Sequence, residues 1–255
     1  ILHRYAYLIV PEYRFGELQW FNSLISTDGP IYSITLDKSA KYAVVDLGNA
    51  IQVYNVSLPV MNPKPIFWEA VPGEPDIHGR TLRGKPYIAW LEEGPIVVAA
   101  SEEAVYAWSL NGTLLWTYSV DLVKGHAPQI QTISLSPDGR LLAVAIETGR
   151  PPSAVNMSIP AMYVRTVEIH VIDVATGKVL GVSDYILGTP ADTLVEWSPD
   201  GKYIVLVDGN FVEITNRTGG TVTKLQALVP GGSYVTGIHW SPGGDKVALL
   251  VNPTE

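Results

Sequence analysis

The chain contains no cysteine. That excludes a disulfide framework, a thiolate metal site and a cysteine nucleophile. Charge is scarce as well: Asp, Glu, Lys and Arg make up 16% of the 255 residues, against about 25% in an ordinary globular protein. The net charge of −8 argues against nucleic acid as a partner, because phosphate binding needs a basic face. There is no run of 18 apolar residues, so no segment reads as a membrane-spanning helix. EF-hand, phosphate-loop and dinucleotide fingerprints are missing, and no cofactor or metal is expected. The chain opens on Ile1 with no visible signal peptide, which reads as a processed or trimmed chain.

What is present is a repeat. Ser136-Pro137-Asp138-Gly139-Arg140 returns as Ser198-Pro199-Asp200-Gly201-Lys202, and a worn copy stands at Ser241-Pro242-Gly243-Gly244-Asp245. Each copy follows an alternating strand-like run and precedes a short aliphatic one. Proline pre-sets φ for the second turn position, aspartate bonds its own backbone, and glycine accepts positive φ. The motif therefore predicts a β-hairpin corner. Neither Ser136 nor Ser198 sits in a G-x-S-x-G elbow, so neither reads as a nucleophile.

Degenerate corners at Asp37-Lys-Ser-Ala-Lys41 and Glu92-Glu-Gly-Pro95 extend the series. Corners near positions 37, 91, 136, 198 and 241 recur every 40–60 residues or so, with four short strands per repeat. An all-β protein follows, a β-propeller of four-stranded antiparallel blades. The blades are expected at 31–72, 86–119, 129–185 and 193–228. A fifth is composite: 234–252 joined by the N-terminal strands within 5–26, which closes the ring in a single domain, 1–255. The N-terminal strands are expected at Tyr5–Val10, closed by Pro11, and at Leu18–Ile25.

The run from Ser136 to Ala145, followed by Ile169-His-Val-Ile-Asp-Val-Ala-Thr-Gly-Lys178, resembles a blade of WD-repeat-like propellers. It is also similar to the periplasmic and peptidase-associated propellers that share the S-P-D-G turn. Leu110-Asn-Gly-Thr-Leu-Leu-Trp-Thr-Tyr118 resembles a blade end of quinoprotein-type propellers. The resemblance spans about Ile31 to Val251 and implies the fold. It implies little about activity, because propellers host unrelated functions. No blade carries a Gly-His…Trp-Asp pair, which sets the chain apart from strict WD repeats.

Four Asn-x-Ser/Thr sequons stand at Asn55, Asn111, Asn156 and Asn216, where chance would give roughly one. The excess predicts N-linked glycans and an exported protein, extracellular or on a cell surface. Propeller geometry puts the turns from strand one to two and from three to four at one end of each blade. The turn from two to three and the connection to the next blade lie at the other. Asn55, Asn111 and Asn216 fall at the first end. The long connections 72–86, 120–129 and 149–165 fall at the second, where binding is expected through His78, Arg80, Arg83, His126, Arg150, Tyr163 and Arg165.

Carboxylates gather at that same second end: Asp46, Glu102, Glu103, Glu147 and Asp208. They are read chiefly as tight-turn residues, with cation binding or glycoside hydrolysis as the competing chemistry. His170 and His239 lie inside strands and read as structural. Most of the seven tryptophans also lie in strands and read as packing between blades. No catalytic residue is assigned. The function expected is a non-enzymatic, exported or cell-surface interaction module that binds other proteins or copies of itself. The alternatives are the propeller of a larger serine peptidase and a five-bladed glycosidase.

Overall fold

A computed structural model describes residues 4–14, 17–27, 30–57, 64–75, 80–120, 128–148, 165–184, 186–188, 193–226 and 233–253. These residues form antiparallel sheets, and no helix occurs among them. The chain divides into two compact units, Ile1–Thr117 and Tyr118–Glu255.

In the first unit, β1 (Arg4–Arg14) and β2 (Glu17–Thr27) form a two-stranded sheet in which Tyr7 faces Leu24. β1 runs on through Pro11 instead of ending there. Both strands of a two-stranded sheet are edges, and an edge tolerates a residue that has no N–H. A four-stranded sheet follows in strict chain order: β3 (Ser33–Leu36), β4 (Tyr42–Asp46), β5 (Ala50–Asn55) and β6 (Phe67–Ala70). The next has the same order: β7 (Tyr87–Leu91), β8 (Gly94–Ala100), β9 (Ala104–Ser109) and β10 (Leu114–Ser119).

The second unit repeats the plan. β11 (Gln129–Leu135), β12 (Leu141–Glu147), β13 (Arg165–Asp173) and β14 (Val179–Val182) form one sheet, and β15 (Ile186–Gly188) also pairs with β13. The fourth strand is thus split in two, a detail the sequence pattern does not carry. β16 (Thr193–Trp197), β17 (Tyr203–Asp208), β18 (Phe211–Asn216) and β19 (Thr221–Gln226) form the next sheet. β20 (Ser233–Trp240) and β21 (Val247–Pro253) pair with each other in a two-stranded sheet.

The aliphatic runs after each corner become second strands, and they are the core. Val44, Val97, Ala143, Val144, Val205 and Leu206 have no exposed surface. Both faces of these strands are covered, which is why they read as continuous apolar runs instead of alternating ones.

The corners are built as their residues require. The Ser136 hydroxyl donates to Asp138 Oδ1 (2.6 Å) and accepts from the Leu141 N–H (2.9 Å). Ser198 repeats this with Asp200 (2.7 Å) and Tyr203 (2.9 Å). The corner at Asp37 exchanges the two roles. Asp37 stands first and accepts from the Tyr42 N–H (2.6 Å), while the Ser39 hydroxyl donates to Asp37 Oδ2. Ala40 takes the positive φ (52°) that Gly139 (75°) and Gly201 (67°) take elsewhere.

Tryptophans join successive sheets. Trp90 on β7 donates its indole N–H to Asp37 beside β3 (2.6 Å), Trp197 on β16 to the Ser134 carbonyl on β11 (2.9 Å), and Trp240 on β20 to the Glu196 carbonyl on β16 (3.3 Å). In every case a first strand reaches back to the first strand, or first corner, of a preceding sheet.

Candidate functional site

The two ends of each sheet separate by their hydrogen bonds. In the first unit the β6–β7 connection meets the β4–β5 turn: Thr81 and Leu82 donate their N–H groups to the Gly48 carbonyl (2.7 and 2.9 Å). At the opposite end, Val56, just past β5, donates to the Lys41 carbonyl in the β3–β4 corner (2.8 Å). The second unit keeps the pattern. Val235 donates to the Gly209 carbonyl in the β17–β18 turn (3.4 Å), and Val174 to the Arg140 carbonyl in the β11–β12 corner (2.9 Å).

Two ion pairs stand at the connection end of the first unit. Asp46, the last residue of β4, is fully buried. Its Oδ1 accepts from the Gly48 N–H (2.7 Å) and its Oδ2 from Arg80 Nη2 (3.0 Å), with the Ser33 hydroxyl at 3.4 Å. Burial pushes the Asp46 carboxyl above the usual carboxylate range, although Gly48, Arg80 and Ser33 all favour its ionised form. The Arg80 guanidinium also lies over the Tyr32 ring, 4.6 Å from its centre. Arg83 pairs with Glu102 (2.7 Å), and its own N–H holds the Ala100 carbonyl (2.8 Å). The two arginines and the acids Asp46 and Glu102 therefore form one polar rim, and residues 80–83 of the connection are pinned to the turns beside them.

In the second unit the same strand-end positions carry similar pairs. Asp208, also fully buried, accepts from the Thr193 hydroxyl (2.9 Å), and Glu147 accepts from the Gln131 amide (3.2 Å). Ser33 and Thr193 each sit directly opposite their aspartate in the strand register. Among the described residues no group of three or more His, Asp or Glu is placed to hold a metal.

Other polar groups lie deeper in the sheets. Glu213 on β18 is fully buried, and its carboxyl accepts from the Thr221 hydroxyl (2.6 Å), with the Ser183 hydroxyl at 3.4 Å. Burial raises its pKa. His170 Nδ1 meets the Tyr118 hydroxyl (2.6 Å), and its Nε2 lies 3.5 Å from Glu168 Oε2. His239, in contrast, points outward with 86% of its side chain exposed, since strand alternation buries Ile238 beside it.

Of the expected binding residues, Arg80 and Arg83 come together at the connection end. Arg165 opens β13 opposite Gly188. His78, His126, Arg150 and Tyr163, and the sequon Asn156, lie outside the described residues. Tyr32 was not anticipated, nor was Glu213; a single tyrosine or glutamate in a strand carries no pattern that marks its partner.

No family model matches the sequence, and no curated protein matches it. Among solved structures, 556 chains match. One is a protein of unknown function from Desulfotomaculum acetoxidans DSM 771, with a TM-score of 0.57 and 14% identity. The match covers 92% of this chain and 66% of that protein, so the chain spans just under two thirds of its length. At that identity the likeness is one of fold alone.

Proposed function

We propose that the chain is a β-propeller of five four-stranded blades, with the N- and C-terminal strands sharing the last, and that it acts as a non-enzymatic, exported interaction module. Partner proteins, or copies of the chain itself, dock on the end of the blades where the connections emerge. Three regularities support the propeller: the unvarying strand order within the four-stranded sheets, the tryptophans that reach back from sheet to sheet, and the constant sorting of turns between two ends.

The observation that carries the functional reading is the use made of charge at the connection end. Asp46, Arg80, Arg83 and Glu102 are spent on holding the connection to the neighbouring turns. A frame that fixes residues 80–83 in this way suits recognition by surface shape, because a segment held on a rigid scaffold loses little entropy on binding.

The test is cross-linking of intact producing cells with a membrane-impermeant amine reagent, followed by mass spectrometry. Exposed lysines mark both ends: Lys85 at the connection end, Lys38, Lys41 and Lys202 at the corner end. Links to another protein or a second copy through Lys85, and none through Lys202, are expected. Labelling only after the cells are broken open would overturn export. Partner links confined to the corner lysines would overturn the docking end.

A further inference from the structure

We infer that Asn55, Asn111 and Asn216 are N-glycan acceptors, and that their glycans stand over the apolar outer strands of their sheets. This rests on the export reading above and adds to it which asparagines are used and what the sugar covers.

The three asparagines are exposed and stand where a third strand ends: Asn55 and Asn216 are the last residues of β5 and β18, and Asn111 lies two residues past β9. Each turns its Oδ1 toward the chain. Asn55 Oδ1 accepts from the N–H and the hydroxyl of Ser57 (3.0 and 2.6 Å), Asn111 from those of Thr113 (3.2 and 2.9 Å), and Asn216 from those of Thr218 (both 2.9 Å). A backbone N–H can face only the amide oxygen, so the bond fixes which way the amide points. In all three, Nδ2 has no hydrogen-bond partner among the described residues. A Cβ on Gly220 would sit 2.7 Å from Asn216 Nδ2, so glycine leaves that nitrogen uncovered.

The turn itself needs no amide. In the hairpin between β13 and β14, whose turn is one residue longer than that at Asn216, Asp173 Oδ1 accepts from the N–H and hydroxyl of Thr176, three residues on (2.9 and 2.7 Å). A carboxylate there accepts the same kinds of bond, from a backbone N–H and a hydroxyl. What asparagine adds at the other three turns is an amide nitrogen, with a hydroxyl two residues on, as the acceptor pattern requires.

In the transfer, Nδ2 forms a bond to the anomeric carbon of a lipid-pyrophosphate-linked sugar. The bond from that carbon to the phosphate oxygen breaks, the lipid pyrophosphate leaves with the electron pair, and one amide proton passes to a base on the transferase.

The outer strands give the sugar something to cover. Leu114 (52% exposed) and Leu115 (46%) begin three residues after Asn111, and Val222 (55%) and Leu225 (47%) follow Asn216. Trp68 (55%) lies on the strand after Asn55. The Asn216 turn also abuts β14, because Gly181 meets the Thr218 carbonyl, and β14 exposes Leu180 (52%) and Val182 (47%). Apolar edge strands are templates for aggregation, and a bulky polar cover blocks them.

The experiment is secretion of the full chain, behind an added leader, from a host with N-glycosylation machinery, followed by glycopeptide mapping. Occupancy of Asn55, Asn111 and Asn216 is expected. N55D, N111D and N216D should each remove one glycan while moving the melting temperature by only a degree or two, because the carboxylate keeps the turn bonds. Enzymatic deglycosylation should increase light scattering several-fold on warming. Bare asparagines on folded, secreted wild-type protein would overturn the acceptor assignment. Unchanged scattering after sugar removal would overturn the covering role. Neither result touches export, which the impermeant reagent tests on the producing cells.

Discussion

Trp197 donates its indole N–H to the carbonyl of Ser134, 2.9 Å away, and so ties the first strand of one sheet to the first strand of the sheet before it. The indole is buried (4% exposed) and lies in a cluster with Ala143, Ile169 and Ile204. One side chain thus supplies both core volume and a directional bond between sheets.

Replacing Trp197 separates these contributions. Trp197→Phe keeps most of the ring and leaves the Ser134 carbonyl without its indole donor, at a cost of about 1–2 kcal/mol. Trp197→Ala also opens a cavity and should cost about 3–5 kcal/mol. Urea unfolding measures both. Equal losses for the two variants would mean that the bond, and not the volume, joins the sheets.

The corner at Asp37 makes a second prediction. Ala40 holds φ at +52° where the equivalent corners use glycine. An L side chain there costs about 1–2 kcal/mol. Ala40→Gly should therefore stabilise the first unit slightly, by about 0.5–1 kcal/mol after glycine's extra unfolded-state entropy is set against it. A thermal melt shifted downward by this substitution would contradict the strain.

Local backbone chemistry is what made the corners legible. Pro137, Asp138 and Gly139 each meet a requirement of one turn, so the motif can be read from five adjacent residues. The buried runs of β12 and β17 could be read as well, because coverage of both faces leaves an unbroken apolar string. The polar rim was less visible. Arg80 and Arg83 could be placed on a connection, yet Asp46 lies 34 residues from Arg80, and no spacing rule links them. Tyr32 beneath Arg80, and Ser183 beside Glu213, are likewise contacts made by tertiary packing. The exchange of roles between Asp37 and Ser39 is hidden for a different reason: both corners satisfy the N–H that opens the second strand (Tyr42, Leu141), but Asp37 does so with a carboxylate and Ser136 with a hydroxyl.

Glu213 sets a pH dependence. Burial raises its folded pKa above the ordinary 4.5, against the opposing pull of Thr221, Lys224 and Ser183. The folded chain therefore holds this proton to higher pH than the unfolded chain does. Its contribution favours folding below pH 4.5 and is lost as the pH rises through the folded pKa. Glu213→Gln removes the ionisation and keeps an oxygen to accept from Thr221. The variant should be more stable than the parent at pH 7, with the advantage shrinking toward pH 4. Denaturant midpoints at the two pH values read this directly, and an advantage that grows on acidification would reverse the assignment.

Gly181 makes the sharpest steric prediction. It lies on β14, its φ is outside the left-handed region, and any residue fits its backbone. The constraint is the neighbour: an added Cβ would stand 1.8 Å from the Thr218 carbonyl oxygen in the β18–β19 turn. Backbone on both sides leaves no flexible side chain to yield. Gly181→Ala must then push the outer strand of one sheet away from the turn of the next by more than an ångström. The expected cost is about 2–3 kcal/mol, the size of an overpacking defect. It should appear as faster hydrogen exchange in β14 and the Thr218–Gly220 segment before the core strands β12 and β17 respond. Gly94→Ala is the comparison, since no atom lies within 4 Å of its added Cβ while its φ is +123°. Its loss would come from backbone strain alone and leave exchange at β14 unchanged. Equal exchange profiles for the two variants would remove the close contact between β14 and the Asn216 turn.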